Sequence, residues 1–222
     1  MSTLIHATEL HHGYGDVAVL CGVELSVNTG ERVAITGPSG CGKSTLLHLL
    51  AGLERPTRGR VYLCGQDISA GTEDTRAALR RTHIGLMFQD HHLLPHATAL
   101  ENTLLPCMAV GAVTPTQTAR AQDLLTRLGL AERSHHLPHA LSTGQRQRVA
   151  VARALMLSPD VVLADEPTGS LDPERAMDLL ALLHEVGGET AIVIVTHDTR
   201  IAASMDRHLR LISGVLTAGS AG

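Results

Sequence analysis

Nine consecutive residues restrict the possible folds of this chain more than any other part of its 222-residue sequence. They read Gly37-Pro-Ser-Gly-Cys-Gly-Lys-Ser-Thr45 and fit the pattern GxxxxGK[ST]. The short run Arg32–Thr36 precedes them, and residues 44–51 repeat apolar side chains at a helical spacing. Glycines at these positions let successive backbone N–H groups turn inward around phosphate, and a helix start adds a favourable dipole. The pattern therefore predicts a strand, a P-loop and a helix in this order.

The loop chemistry assigns a role to each kind of side chain. Lys43 is expected to reach the β- and γ-phosphates as a point charge, and Ser44 to offer its hydroxyl to Mg²⁺. Cys41 is interpreted as a small filler residue whose side chain points away from phosphate. A glycine-rich turn that fits by chance is the alternative, and the correct flanks on both sides argue against it. The expected nucleotide-binding residues of this loop are Gly37, Pro38, Ser39, Gly40, Cys41, Gly42, Lys43, Ser44 and Thr45.

Two acidic residues follow a second apolar run. Asp165 comes directly after Val161–Ala164, at the carboxyl end of a predicted strand, and is expected to hold Mg²⁺ through its waters. Because consecutive strand residues point to opposite sides, Glu166 is expected to face the water near the γ-phosphate and act as general base. The alternative is that Glu166 caps the next turn. The sequence has no NKxD pattern, so adenine is favoured and ATP hydrolysis is predicted.

The remaining pattern indicates the fold class. Val161–Ala164 and Ala191–Val195 are apolar without alternation, as in parallel strands covered by helices on both faces. Asp172-Pro173 is typical of a helix start, with Asp at the N-cap and Pro at N1, and residues 101–157 are predicted to be mostly helical, with their helices separated by Pro115, Gly129 and Pro138. A hydrophobic share of 44% supports a packed core. We predict an α/β fold of the P-loop NTPase class, a mixed or parallel sheet with a helical insertion.

Composition excludes several functions. A net charge of −4 and an aromatic share of 1% argue against a protein that binds nucleic acid. Arg146, Arg148 and Arg153 are therefore expected to decorate their helix instead. The four cysteines have no CxxC spacing and the 14 histidines no interleaved Cys/His/Asp spacing, so reduced thiols and no metal site are expected from them. No signal peptide and no apolar run of about 18 residues is visible, which predicts a soluble chain.

Five further motifs stand in a fixed order around the P-loop and its acidic partner. Together with them the chain resembles, over almost its whole length, the ATP-binding subunits of ABC transporters. The residues that carry the resemblance are Leu141-Ser142-Thr143-Gly144-Gln145 (the signature), Gln89 (the Q-loop), Ser170-Leu171-Asp172 (the D-loop), His197 (the switch histidine) and Tyr14 (the aromatic before the P-loop).

The resemblance implies roles for these residues. The signature residues Ser142, Thr143, Gly144 and Gln145 would contact the γ-phosphate of ATP held by a second copy, so that two ATP molecules lie in a head-to-tail dimer. His197 would orient the water beside Glu166, Gln89 would be a Mg²⁺ ligand and sensor, and Tyr14 would stack on adenine. Asp172, in the D-loop, is included among the expected nucleotide-binding residues. Structural alternatives stand beside three of them: Ser142 and Asp172 as helix N-caps, and His197 as a core histidine.

Thr143 departs from the second glycine usual in the family signature. A β-branched residue restricts the backbone and adds bulk beside the expected phosphate. This leaves open how tightly the ATP sandwich closes.

The stretch His91–Asn102 is similar to the lipoprotein-releasing and macrolide-export branch of the family. This likeness implies integral membrane permease subunits whose short helices dock in a cleft lined by residues 89–94, and a location at the cytoplasmic face of the inner membrane. It also implies a single domain, 1–222, with a catalytic core at 1–90 and 158–222, an N-terminal antiparallel strand region and a helical sub-domain at about 91–157.

Three other functions compete with this interpretation. An ATPase that drives a cell-wall or division complex without moving a substrate (FtsE-like) has the same motifs. A DNA-repair or translation-factor ATPase would need an insertion or second cassette for which 222 residues leave no room. A module without turnover would lack Glu166 or His197, and both are present.

Overall fold

The computed structural model describes residues 2–219, which fold into two sheets and a group of helices. The strands are β1 (Thr3–Tyr14), β2 (Val17–Asn28), β3 (Arg32–Thr36), β4 (Arg58–Leu63), β5 (Gln66–Asp67), β6 (Ile84–Met87), β7 (Val161–Asp165), β8 (Ala191–Thr196), β9 (Arg207–Ile212) and β10 (Val215–Ala218). The helices are α1 (Lys43–Leu50), α2 (Glu73–His83), α3 (Ala99–Met108), α4 (Pro115–Arg127), α5 (Thr143–Leu155), α6 (Pro173–Gly187) and α7 (Thr199–Ala203).

The first sheet is antiparallel, in the order β2-β1-β4-β5, and the second has the order β10-β9-β3-β8-β7-β6. In the second sheet β9, β3, β8, β7 and β6 run parallel and only β10 is antiparallel. The predicted fold class is confirmed, including the N-terminal antiparallel region and the mixed sheet. Thr36 is in register with Thr196, and Asp165 with Val195. The carboxyl ends of β3, β7 and β8 therefore meet at one edge.

Apolar residues from both faces of the parallel sheet fill two cores. One core lies between the two sheets and α1, and the other between the parallel sheet and the helices α3 to α6. Every residue of β8 is buried, which explains why its sequence shows no alternation. Burying each Val, Leu or Ile side chain contributes about 1.5–3 kcal/mol, so the central strands hold the edge that carries the polar residues in a rigid frame.

Local sequence signals agree with the element ends. Gly52 has a φ of +62° and follows Ala51, the C-cap of α1, so it occupies the C′ position. Asp172 accepts a hydrogen bond from the N–H of Arg175 and Pro173 is the first residue of α6. Pro115 does not only separate helices: it opens α4 at N1, where its missing N–H costs nothing.

None of the helices within residues 2–219 combines the length and the apolar character that crossing a bilayer requires.

Candidate nucleotide-binding site

The P-loop lies between β3 and α1. Its glycines occupy positions where a Cβ would clash or where φ is positive. A Cβ on Gly37 would lie 2.3 Å from the carbonyl oxygen of Leu211, and one on Gly42, whose φ is +101°, would lie 2.7 Å from Cγ1 of Val19. Gly40 has a φ of +75°, and a Cβ there would meet nothing within 4 Å. The loop is therefore packed against β9 and β2 on one side and open on the other, the side on which an anion can approach.

Positive charge lies over this open loop. The Nζ of Lys43 donates hydrogen bonds of 2.9 Å to the carbonyl oxygens of Gly37 and Pro38. An ammonium group has three donors, so one is left for a ligand. No side chain caps the first turn of α1, whose N-cap is Gly42, and its N–H groups and positive dipole end face the loop. Cys41 packs against the core between the sheets, as its interpretation as a filler requires.

The acidic pair leaves β7 at the same edge of the sheet. Asp165 is the last residue of the strand, and Glu166 has a left-handed backbone with a φ of +45°. The alternation argument from the sequence was therefore wrong for Glu166, because this residue has already left the strand. Its direction is set by the turn and by its N–H, which donates to the carbonyl oxygen of Val195 at 2.9 Å.

Glu166 is held by two groups from β8 and the residue after it. The hydroxyl of Thr196 donates to Oε2 at 3.2 Å, and Nδ1 of His197 lies 3.0 Å from both carboxylate oxygens. The Glu166 side chain is 14% exposed and that of His197 is 73% exposed. His197 is thus no core histidine, and its ring covers a carboxylate that faces the nucleotide edge.

Gln89 and Tyr14 occupy different parts of the surface. Gln89 is exposed two residues after β6, a strand that ends at the same edge as β7. The ring of Tyr14 is 52% exposed, meets the ring of His12 edge-on, and its hydroxyl donates to Glu54 at 2.7 Å. Burial alone would raise the pKa of Glu54, but hydrogen bonds from Tyr14 and His48 hold it below its usual value. Sequence reasoning missed Glu54, which positions Tyr14 from 40 residues away.

The signature residues form the start of α5. Ser142 is its N-cap, with its Oγ accepting from the N–H of Gln145 and its own N–H donating to the Gln145 side chain at 2.9 Å. The N-cap alternative for Ser142 is thus correct, and it is compatible with phosphate binding at the same helix end. The hydroxyl of Thr143 accepts a hydrogen bond of 3.0 Å from Arg146. Gly144 faces the D-loop, since a Cβ there would lie 3.7 Å from Leu171.

Polar side chains of α5 join this helix to the core. Gln147 is 1% exposed and donates to the carbonyl oxygen of Pro167 and to the hydroxyl of Ser170. Arg153 donates hydrogen bonds of 2.7 Å to the carbonyl oxygens of His91 and His92, and burial lowers its pKa. Arg146 and Arg148 also donate to backbone carbonyl oxygens, those of Leu141 and Leu128. The expectation that these arginines only decorate their helix was therefore wrong, because all three tie α5 to neighbouring segments.

A cleft of about 390 Å³ separates α2 and β6 from α3 and α5. Its wall includes Phe88 and His92 on one side and Arg153 and Leu157 on the other. Leu94 follows in the chain and is 49% exposed. The buried Asn102 fixes the backbone there, because its side chain bonds both the N–H and the carbonyl oxygen of Leu94.

Within one chain the structure brings the P-loop, Asp165, Glu166 and His197 to one edge of the sheet. The signature residues lie elsewhere, at the start of α5 beside the D-loop. The polar contacts described for Lys43 stay within its loop, and those of Ser142 within the first turn of α5.

Comparisons with known proteins find one family. Residues 20–169 match the family model described as ABC transporter. The chain is 47% identical to the lipoprotein-releasing system ATP-binding protein LolD of Psychrobacter arcticus, over 96% of this chain and 98% of that protein. It is 48% identical to LolD of Pseudomonas syringae pv. tomato, over 92% and 91%. It is 45% identical to the macrolide export ATP-binding/permease protein MacB of Bartonella henselae, of which it covers 31%.

The solved structures that align with this chain are ATP-binding cassettes as well. A dimeric ATP-binding cassette in a post-hydrolysis state, bound to ADP and Pi, aligns with a TM-score of 0.86 at 34% identity, over 97% of this chain and 98% of that one. A second ATP-binding cassette, in its ADP conformation, aligns with a TM-score of 0.89 at 27% identity, over 100% of this chain and 92% of that one.

Proposed function

Because the chain belongs to the ATP-binding proteins of ABC transporters, and hydrolyses ATP to drive transport, we propose that it works as a head-to-tail dimer on membrane subunits that release lipoproteins. The observation that best supports ATP hydrolysis as the power source of this function is the carboxylate of Glu166, held at the nucleotide edge by Thr196 and His197. A carboxylate fixed there takes a proton from water as that water attacks the γ-phosphate of ATP.

The P-loop residues bind and orient the triphosphate in this proposal. The open face of Gly40, the N–H groups at the start of α1 and the remaining donor of Lys43 surround the β- and γ-phosphates. Lys43 neutralises charge that develops during phosphoryl transfer. His197 contacts the γ-phosphate side and keeps Glu166 directed at the water. Tyr14 offers its exposed ring to adenine.

The residues at this edge fit Mg²⁺. The hydroxyl of Ser44, the side-chain oxygen of Gln89 and the carboxylate of Asp165 are the hard oxygen ligands that this ion prefers, and α1 packs against β7, which brings Ser44 and Asp165 to the same edge. When bound, the ion would neutralise charge on the β- and γ-phosphate oxygens.

The separation of the starts of α1 and α5 supports the proposed dimer. The start of α1 belongs to the P-loop, whereas the start of α5 is exposed beside the D-loop residues 170–172 of the same chain. A second copy placed head to tail would bring its Ser142 end to the ATP held by Lys43, with Asp172 at the interface. The solved relatives that are dimeric support this arrangement.

A complementation experiment tests the shared site. Two tags allow a mixed dimer of Lys43→Ala and Ser142→Arg chains to be purified, and its ATPase activity is compared with that of a dimer of wild type and the double variant. Both dimers contain the same two substitutions. If ATP is shared, the first dimer keeps one intact site and the second keeps none.

If one chain alone completes each site, the result reverses: the dimer with a wild-type chain keeps one working site and the other dimer is inactive. That pattern would overturn the head-to-tail proposal. The test does not depend on the transported substrate.

The cleft between α2 and α3 is the place proposed for the membrane subunits. Its mixed wall of apolar and basic residues and the neighbouring exposed Leu94 suit a short amphipathic helix. The chain would then lie at the cytoplasmic face of the inner membrane. The lipoprotein-releasing relatives, of which the chain covers more than nine tenths, support this class of partner.

Reconstitution tests the substrate class. The chain is combined in proteoliposomes with the membrane proteins that co-purify with it in detergent and with a lipidated reporter. ATP-dependent release of the reporter, lost with Leu94→Asp, is the expected result. ATP hydrolysis that the membrane proteins stimulate without any release would favour a complex that transmits force without moving a substrate.

A further inference from the structure

Three metal-ligating side chains converge away from the nucleotide edge. Nδ1 of His83 lies 3.5 Å from Sγ of Cys64 and 2.6 Å from Oδ2 of Asp160, and the sulfur lies 3.9 Å from the same carboxylate oxygen. All three atoms lie within 4.8 Å of one another. The residues are separated by 19 and 77 positions in the sequence. The absence of a metal spacing in the sequence therefore did not rule out a metal site.

The fold explains why they meet. His83 is the last residue of α2 and Asp160 directly precedes β7, and their next residues, Ile84 and Val161, are paired in neighbouring parallel strands. Cys64 comes from the other sheet, in the turn between β4 and β5. The cluster thus lies on the seam between the two sheets, at the opposite end of β7 from Asp165. Five residues of strand separate these ends by roughly 16 Å.

The backbone of Cys64 is unusual for its residue type. Cys64 and Gly65 have φ values of +49° and +78°, and Leu63 pairs with Gln66 across them. A two-residue turn with both φ values positive favours Asn-Gly, because glycine has no Cβ and the short polar side chain of Asn can hydrogen-bond locally, whereas other side chains are strained there. A cysteine kept in this conformation places its sulfur towards His83. A strained residue in a cluster of ligating groups points to a function for the side chain.

The contacts distinguish a metal site from a nucleophilic triad. In a triad the cysteine and the acid bind opposite ring nitrogens of the histidine, so that a proton moves across the ring. Here Cys64 and Asp160 both face Nδ1 of His83. The three atoms therefore surround one point instead of forming a line.

We propose that Cys64, His83 and Asp160 bind a zinc ion, with water as the fourth ligand. Around tetrahedral zinc with ordinary bond lengths, such ligand atoms lie about 3.3–3.6 Å apart. The sulfur–nitrogen distance of 3.5 Å fits, and the sulfur–oxygen distance of 3.9 Å needs a small closure. The nitrogen and oxygen, 2.6 Å apart, would separate as the ion replaces the proton between them.

The donor set selects the ion. A thiolate and an imidazole favour zinc over Mg²⁺ or Ca²⁺, which take oxygen ligands. In the absence of metal, burial and the neighbouring Asp160 raise the pKa of the Cys64 thiol. A divalent cation reverses this effect, since a coordinated thiol loses its proton and two anionic ligands balance the ion's charge. Bound zinc would clamp α2 and the start of β7 to the antiparallel sheet.

Cobalt titration of the full chain, stripped with chelator and free of nucleotide, tests the site. We expect the thiolate-to-cobalt charge-transfer band and the intense visible bands of a tetrahedral ion, both removed by one equivalent of Zn²⁺. Cys64→Asn should abolish the charge-transfer band, and Asn suits the turn, so this variant should fold. His83→Gln should weaken binding at least about 100-fold.

Two controls make the result specific. Cys21→Ser removes an exposed cysteine outside the cluster and should leave the spectrum unchanged. Asp165→Asn removes the acid at the nucleotide edge and should also leave it unchanged. Thermal unfolding with zinc or chelator gives a second readout, in which zinc stabilises the wild type and Cys21→Ser but not Cys64→Asn.

A wild-type spectrum without the thiolate band would overturn the proposal. So would a zinc effect on thermal unfolding that Cys64→Asn retains in full, because the effect would then come from other histidines.

Discussion

His197 places Nδ1 of its ring 3.0 Å from both carboxylate oxygens of Glu166, across the turn that ends β7. The two residues are 31 positions apart in the sequence and are brought together by the parallel pairing of β7 with β8. The ring is exposed and the carboxylate is mostly covered, so a ligand that touches His197 also changes the surroundings of Glu166. This contact gives the first two predictions.

Glu166→Gln should lower ATP turnover by about 100-fold or more, because an amide cannot accept the proton of the attacking water. ATP affinity should stay close to that of the wild type, and a dimer should accumulate when ATP is added. Steady-state turnover, nucleotide binding and analytical ultracentrifugation measure the three effects. Glu185→Gln, an exposed change at the far end of α6, serves as control. Normal turnover in Glu166→Gln would show that another group is the base.

His197→Ala should also slow hydrolysis, and its effect should depend on Glu166. In the Glu166→Gln background the added loss should be much smaller than in the wild type, since residues that act as a unit are not additive. The four turnover rates of this double-mutant cycle, with ATP affinity measured in parallel, give the coupling. His135→Ala, on an exposed histidine, should change none of them. Equal losses in both backgrounds would mean that His197 acts independently of Glu166.

The sequence predicts well what local physics decides. The buried strands β7 and β8 follow from runs without alternation, and the starts of α1 and α6 follow from the P-loop pattern and from Asp172-Pro173. The position of a residue can be predicted from the sequence when the contacts that determine it come from neighbouring residues in the chain.

The rest depends on contacts between distant segments. Cys64 meets His83 and Asp160 only because two sheets pack at one seam, and Glu54 reaches Tyr14 from 40 residues away. Glu166 was misjudged for another reason. The strand ends at Asp165, and Glu166 has a left-handed backbone, so the alternation of side chains along a strand does not extend to it. No period in the sequence reports these arrangements.

Thr143→Gly should leave the affinity of the single chain for ATP unchanged and alter mainly ATP-dependent dimerisation. The substitution removes a hydroxyl bonded to Arg146 and adds backbone freedom in the first turn of α5, at a cost of about 0.5–1 kcal/mol in stability. Thr143→Ser keeps the hydroxyl and separates the methyl group from the backbone effect. Nucleotide titration and sedimentation with ATP measure the two outcomes. A large loss of ATP affinity in the single chain would contradict the placement of Thr143 at the partner's nucleotide.

Asp206→Asn should destabilise the fold at neutral pH but not in acid. Hydrogen bonds from the side chain and backbone of Arg32 hold the pKa of Asp206 below its usual value, tying β9 to β3. A lowered folded-state pKa means that the stabilisation is present above the unfolded value of about 3.9 and is lost as the pH falls through the folded value. Because both side chains are about 40% exposed, we expect about 0.5–1 kcal/mol.

Urea unfolding from pH 7 to pH 3 measures this difference. Burial lowers the pKa of His184, which also contacts Arg32, and the Asp206 carboxylate partly offsets that effect. Both chains are therefore compared in a His184→Gln background, which removes this coupled titration. Asp123→Asn, on the exposed face of α4, is the control. A difference between Asp206→Asn and wild type that stays constant through pH 3 would show that the charge of Asp206 is not its source.

Arg153→Gln should loosen the segment that follows Gln89. The half-buried guanidinium donates to the carbonyl oxygens of His91 and His92, and without it both carbonyls lack a charged donor. Charge-assisted hydrogen bonds of this kind contribute about 1.5–3 kcal/mol, so urea unfolding should show a loss of that size. Arg148→Gln removes one longer hydrogen bond, to Leu128, from the same helix and should cost less.

Hydrogen exchange locates the effect of Arg153→Gln. We expect faster exchange of the amides in residues 89–95, while the amides of β7 and β8 change only by the global loss of stability. Arg153 connects α5, whose first turn carries the signature, to the segment that borders the cleft. We therefore expect movement of one to be coupled to movement of the other. If exchange in residues 89–95 is unchanged while urea unfolding shows the whole expected loss of stability, Arg153 only contributes to packing. The proposed coupling between α5 and the segment after Gln89 would then be wrong.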